Sequence, residues 1–209
     1  MSGLFIAFEG ADGCGKSTQL RFLADYLEEN GVPVVRTREP GGCPVAEKIR
    51  DVVLDNANSE MTAETEALLY AAARAEHVHH VIKPAVDSGK VVLCDRYIYS
   101  SIAYQGYGRQ LDVETVWNIN RFAVQGYMPD VTVFMNVPPE RGFERMHRRT
   151  ELDRLENAGL EFHHRVFEGF QTLSQDPGVM PIDASGTKFE THEIIKQKLL
   201  PAFQKAGLL

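Results

Sequence analysis

Cysteine is scarce. Three stand in 209 residues, Cys14, Cys43 and Cys94, an odd number without metal or redox spacing. That count excludes a disulfide scaffold and a cysteine-built metal site, and it reads as free thiols in a reducing, cytoplasmic compartment. Long apolar runs are lacking too: none approaches the roughly 18 residues of a bilayer span. The first residues, MSGLFIAFEGADG, have no basic region and too short an apolar stretch, so no signal peptide is expected. Positive charge is in deficit. Twenty-two Lys and Arg against 29 Asp and Glu give −7, which argues against general binding to nucleic acid or an anionic membrane. Any anionic ligand must therefore be held by local clusters of bases. Internal repeats, low-complexity tracts and linkers are also missing, so the expectation is one domain over 1–209. With 44% hydrophobic residues, such a domain can build a real core.

Five short runs are apolar without alternation: Leu4–Phe8, Val32–Val35, Val91–Cys94, Val131–Val137 and Val179–Ile182. Strands covered on both faces read this way. Helix-period stripes lie between them, one at Leu20, Leu23, Ala24 and Leu27, another at Leu68, Ala71, Ala72, Ala75 and Ile82. The alternation predicts an α/β fold of three layers, a parallel sheet with helices on both sides. Arg38–Pro44, REPGGCP, reads as a loop.

Gly10-Ala11-Asp12-Gly13-Cys14-Gly15-Lys16-Ser17, followed by Thr18, fits G-x-x-x-x-G-K-[ST] between an expected strand and an expected helix. Glycines let the backbone curl so that successive N–H groups face phosphate oxygens, and the helix N-terminus adds positive potential. Lys16 would reach the β- and γ-phosphates, and the Ser17 hydroxyl would ligate Mg²⁺. A chance match to this pattern in such a chain is about one in a hundred. Nucleotide binding alone leaves a kinase, a GTPase switch and an ATPase open. A guanine-reading N-K-x-D is absent, so a second substrate site must decide.

Asp95 and Arg96 end the Val91–Cys94 strand, where open α/β sheets bind ligands. Asp95 is placed to hold Mg²⁺ or its waters, and Arg96 to meet an anion. If the chain is helical from Ser100, Ser101 and Gln105 share a face, as Tyr70 and Arg74 do upstream. An aromatic plate, a guanidinium, a hydroxyl and an amide suit a planar base with carbonyl and imide edges.

The chain resembles the thymidylate kinases, of the bacterial kind, from end to end. The resembling stretches are FEGADGCGKST (Phe8–Thr18), TREPGG (Thr37–Gly42), AEKIR (Ala46–Arg50), DRYIYSSIAYQG (Asp95–Gly106), Met128-Pro129-Asp130 and ELDRLE (Glu151–Glu156). The resemblance implies a P-loop NTPase fold of the nucleoside monophosphate kinase type, with a five-stranded parallel sheet and a mobile lid at about 141–156. It implies Mg²⁺-dependent phosphorylation of dTMP by ATP, in dTTP synthesis, by a homodimer. Asp12 would accept from the sugar 3′-OH, and Arg50 and Arg96 would grip the dTMP phosphate. Tyr70 would stack on thymine, Arg74, Ser101 and Gln105 would read its edge, and Tyr104 would crowd the 2′ position. Asp183 and the residues after it resemble the segment near adenine. Gly13 stands where one branch of the family carries its catalytic arginine, so the lid must supply one. Arg149 matches that role and Arg145 the position near adenine. The chain departs from the family pattern at Cys43, Asn136 and His147.

Two other readings stay open on the residues alone: a kinase for another small acceptor, and a regulatory NTP switch without a second substrate. His77 and His80, three apart, read as a solvated helix face rather than a metal site. The five arginines of Glu140–Glu156 alternate with acids, which argues against a nucleic-acid surface.

Overall fold

In the computed structural model, which describes residues 3–137, 142 and 152–209, the chain alternates strands and helices. Strand β1 (Phe5–Glu9) leads through the glycine-rich turn into α1 (Lys16–Glu29). Strand β2 (Val34–Arg38) is followed by α2 (Pro44–Leu54) and α3 (Ala63–His77). A wider π turn, Val78–Ile82, links α3 to α4 (Lys83–Asp87). After β3 (Val91–Asp95) comes α5 (Ile98–Ser101), which runs on as a π-wound segment, Ile102–Gly108. Then follow α6 (Val113–Ala123), β4 (Val131–Asn136), α7 (Leu160–Leu173), β5 (Val179–Asp183) and α8 (Lys188–Lys205). Among the described residues no helix is long and apolar enough to cross a membrane.

All five strands pair in parallel in the order β2-β3-β1-β4-β5. Side chains alternate across β1. Leu4, Ile6 and Phe8 join the core under α1 and α8, with Leu23, Leu27, Ile195 and Phe203. Phe5 and Ala7 join the opposite layer, with Ile82, Val92 and Ile98. The sheet is thus covered on both faces, which makes three layers. The chain crosses β1 in passing from β3 to β4, so the carboxyl ends of β1 and β3 flank the crevice where such sheets bind ligands.

Three details differ from the sequence expectation. Strands β1, β2, β3 and β5 run on into the polar residues Glu9, Arg38, Asp95 and Asp183, because the ladder is made by backbone groups and ignores side-chain polarity. Strands β2 and β5 are sheet edges and only partly buried, despite their apolar character. The stripe on α3 is rotated. Leu68 is 57% exposed and Ala72 is exposed, while Glu66, Ala67, Ala71, Arg74 and His77 are buried. Hydrogen-bonded polar groups occupy the inner face there, so apolar periodicity points the wrong way. His77 is accordingly part of the interior and not of a solvated face.

Leu23 is completely buried, and Thr187 closes a capping box with Glu190 at the start of α8. Leu23→Ala is expected to cost about 2–5 kcal/mol. Thr187→Ala is expected to cost about 1 kcal/mol. Urea melts of the two variants measure both, and equal losses would contradict the packing of α1 described here.

Candidate active site

The loop after β1 turns sharply enough that Gly10, Gly13 and Gly15 all take positive φ. Gly13 has a second constraint. A Cβ there would stand 2.7 Å from the Gly142 carbonyl oxygen, so backbone closes against backbone and no side chain fits. Lys16, nearly buried, donates from Nζ to the carbonyls of Gly10 and Ala11, both at 3.0 Å. Cys14 is buried in the core beneath the loop, with Sγ 3.7 Å from the same Nζ. Ser17, in the first turn of α1, donates to Asp95 Oδ2 at 2.5 Å and so ties that turn to the end of β3.

Arg96 follows β3 with φ at +70°, a strained value for a residue with a side chain. Its surroundings hold it there. The backbone N–H donates to Phe8 O at 2.9 Å. Nη1 donates to Gly10 O and Ser100 Oγ, each at 3.0 Å, and Nη2 to Asp12 Oδ1 at 2.5 Å and to the Tyr104 hydroxyl at 3.1 Å. The Tyr104 hydroxyl in turn donates to Asp12 Oδ2 at 2.5 Å. Burial pushes the Asp12 carboxyl up, but Arg96, Lys16 and the Tyr104 hydrogen bond outweigh it and hold Asp12 well below the usual carboxylate range. Behind Arg96 lies Glu9, fully buried. It accepts from the N–H groups of Tyr97 and Ser100 at 2.9 and 3.1 Å and from Ser100 Oγ at 2.5 Å. Burial raises the Glu9 carboxyl above its normal value more than those bonds and Arg96 lower it.

A second network comes from α3. Arg74 donates to Glu39 Oε2 at 2.7 Å, Ser101 Oγ at 3.0 Å, Tyr97 O at 2.9 Å and Asn120 Oδ1. Glu39 also meets His77 Nδ1 at 2.9 Å, and His77 Nε2 lies 2.6 Å from Thr37 Oγ1. Gln105 donates from Nε2 to Glu66 at 2.9 Å. Arg50 donates to Pro40 O at 2.9 Å.

The two networks border one cavity of about 550 Å³. Its wall includes Asp12, Gly13, Gly15, Lys16, Ser17 and Thr18 from the phosphate loop and α1. It also includes Arg50, Tyr70, Arg74, Asp95, Arg96, Ser101, Tyr104 and Gln105. The sequence-derived set is thus brought together almost whole. Gly10, Ala11 and Cys14 belong to the loop but do not line the cavity. Arg145 and Arg149 lie outside the described residues.

Sequence reasoning passed over Glu9, Glu39, Glu66, Asn120 and Arg109, which orient the groups it did select. Glu9 and Glu39 stood inside the quoted FEG and TREPGG runs. Glu66 carried no signal, since a single acid on a helix reads as solvated.

The donors fit Mg²⁺. A hydroxyl and a carboxylate, Ser17 and Asp95, are hard oxygen ligands already in contact beside the phosphate loop. Among the described residues no group of three or more His, Cys, Asp or Glu could hold a metal ion.

A family model described as "Thymidylate kinase" matches residues 8–195. Among similar curated proteins, the thymidylate kinase of Finegoldia magna is 50% identical over 183 residues, 87% of this chain and 90% of its own length. That of Bacillus velezensis is 46% identical over 210 residues, 99% of this chain and 97% of its own. That of Bacillus pumilus is 43% identical over 98% of this chain and 99% of its own.

The folded Asp12 carboxyl ionises at lower pH than the free group, whose pKa is about 4. Its ionised form therefore adds stability that is complete above about pH 5 and lost as pH falls through the folded value. Asp12→Asn lacks that contribution. Urea melts should show a constant advantage of the parent chain near neutrality that narrows below about pH 4. A gap independent of pH would mean that Asp12 is not held ionised by Arg96.

Proposed function

The chain belongs to the thymidylate kinase family, and from that premise we propose how its cavity carries the γ-phosphoryl of ATP to dTMP, giving dTDP and ADP. The observation that carries the reading is the sharing of one cavity by the phosphate loop and the Asp95–Gln105 set. A switch that only binds NTP has no use for the second half.

The N–H groups of the loop and Lys16 meet the phosphates of ATP. Arg96 and Arg50 meet the phosphate of dTMP from the other side. The strained, fully braced backbone at Arg96 supports that role, because a guanidinium set in advance loses little freedom when the anion arrives. Tyr70 lies against thymine, and Arg74, Ser101 and Gln105 meet its edge. Tyr104 stands where a ribose 2′-hydroxyl would project. Asp12 accepts from the 3′-OH while keeping Arg96 and Tyr104, since a carboxylate has room for about four donors. Ser17 and Asp95 would hold Mg²⁺, which when bound would offset phosphate charge.

The dTMP phosphate is ionised at neutral pH, so no residue must remove a proton. One of its oxygens bonds to the γ-phosphorus as the bond to the β–γ bridging oxygen breaks, and ADP leaves. The protein contributes position and positive charge in a site shielded from water. Gly13 has no side chain with which to supply a cation. The cation that reaches the transferred group therefore comes from elsewhere, and Arg149 of a lid at about 141–156 is proposed for it, with Arg145 near adenine. The residues after Asp183 flank the adenine.

The chain acts as a single kinase domain, cytoplasmic and paired as a homodimer. The pairing is supported by Val45 and Val52 on α2, Leu68 on α3 and Phe122 on α6, large apolar side chains left exposed on adjoining helices.

Three measurements test these statements. In an acceptor panel with ATP and Mg²⁺, dTMP should lead dUMP by the worth of one methyl, ~1–3 kcal/mol. It should lead dCMP by more, because the 4-amino group would face the cationic Arg74 guanidinium, which offers no acceptor for it. ATP hydrolysis that no acceptor stimulates would overturn the kinase reading. Arg149→Ala should lower kcat by about 10³-fold or more with little change in KM for dTMP. A small effect would remove the lid arginine from the mechanism. Phe122→Glu should turn a dimer into a monomer in sedimentation, whereas a parent chain that sediments as a monomer contradicts the pairing.

A further inference from the structure

Glu66 lies in the first turn of α3, is completely buried, and receives four side-chain donor groups from three residues. Gln105 Nε2 is at 2.9 Å, Arg109 Nη2 at 2.9 Å with its Nε at 3.2 Å, and Arg154 Nη2 at 2.6 Å. Arg154 is itself fixed by a bond from Nε to Val53 O at 2.8 Å. Burial pushes the Glu66 carboxyl up, but Arg109, Gln105 and Arg154 together hold it below its ordinary range. The group is therefore a carboxylate, and a carboxylate only accepts.

That has a consequence for Gln105. An amide beside a carboxylate must turn its NH₂ toward it, because the opposite orientation sets oxygen against oxygen in a buried place. Gln105 is 1% exposed and lines the cavity. With Nε2 turned to Glu66, the carbonyl is the end of the amide directed away from that carboxylate. Two arginines pull on the same carboxylate, so it cannot swing away and release the amide.

We propose that Glu66 is a specificity-determining positioning residue: by accepting the Gln105 amide N–H it fixes the Gln105 carbonyl toward the acceptor base, so that the site requires an N–H at the base edge it meets. Thymine and uracil carry that N–H at N3, whereas cytosine presents a lone pair there. The inference rests on the reading above that Gln105 meets the base. Two groups then reject cytosine independently, Arg74 at the exocyclic position and the oriented Gln105 at N3. Glu66 touches no substrate and acts through Gln105.

The test compares Glu66→Gln, Gln105→Ala and Leu199→Ala in the 209-residue chain. The readout is kcat/KM for dTMP and dCMP with ATP and Mg²⁺, and melting temperature. A glutamine at 66 both donates and accepts, so Gln105 is free to turn over. The dTMP-to-dCMP ratio should fall about tenfold or more in Glu66→Gln, through KM for the acceptors, with KM for ATP unchanged. Leu199→Ala removes a completely buried side chain of α8 and leaves the Glu66–Gln105 bond, so it should lower the melting temperature and keep the ratio. A ratio that survives Glu66→Gln but collapses in Gln105→Ala overturns the proposal and leaves the base reading standing. A ratio unchanged in Gln105→Ala overturns the base reading itself, and the proposal with it. Should Glu66→Gln fail to fold, the parent chain still decides. Its Gln105 side-chain amide protons, assigned by their loss in Gln105→Ala, should exchange slowly with solvent in ¹⁵N NMR if Glu66 holds them. Free exchange overturns the proposal.

Discussion

The pairing of Arg96 with Asp12 joins the ends of β1 and β3, and most of the site hangs from it. Arg96 leaves β3 with a backbone that disfavours any residue but glycine. Its guanidinium then bonds to the phosphate loop twice, at Gly10 O and Asp12, and to the first turn after β3 at Ser100. Glu9 grips the N–H groups of Tyr97 and Ser100 from below. The phosphate loop and Arg96 are thereby tied together as one unit. The strain at Arg96 is tolerated because its neighbours over-determine it.

Buried acids recur as the means of aiming. Glu9 braces Arg96 through Ser100, Glu39 holds Arg74, and Glu66 holds Arg109, Arg154 and Gln105. Buried ion pairs contribute little net stability, because desolvation offsets most of the attraction. What they contribute here is direction: a guanidinium with its donors engaged by protein has one orientation.

The sheet and the phosphate loop were legible because both write themselves into local sequence, one as unbroken apolar runs, the other as glycine spacing before Lys16. The Asp95–Gln105 part of the cavity wall was picked out largely through resemblance. Helical spacing puts Tyr70 and Arg74 on one face and both line the cavity, yet the apolar stripe of the same helix points Leu68 and Ala72 inward and His77 outward, the reverse of the structure. Periodicity sorts residues by polarity, and on α3 the inward face is polar. Glu66 and Asn120 were invisible for a related reason. Their importance lies in partners 39 and 46 positions away in the chain, Gln105 for the one and Arg74 for the other, and no local pattern encodes that. The edge positions of β2 and β5 follow from strand order, which composition does not reveal.

Lys16, Arg74 and Arg96 sit recessed in the cavity wall, each tied to carbonyls or carboxylates, within a chain whose net charge is −7. A polyanion diffusing toward such a molecule meets a repulsive exterior first and the guanidinium groups only at close range. Mobile ions screen the exterior over about 8–10 Å but barely reach recessed pairs. Moderate salt should therefore ease the encounter of nucleotides with this protein, the reverse of an enzyme that draws anions in along a positive funnel.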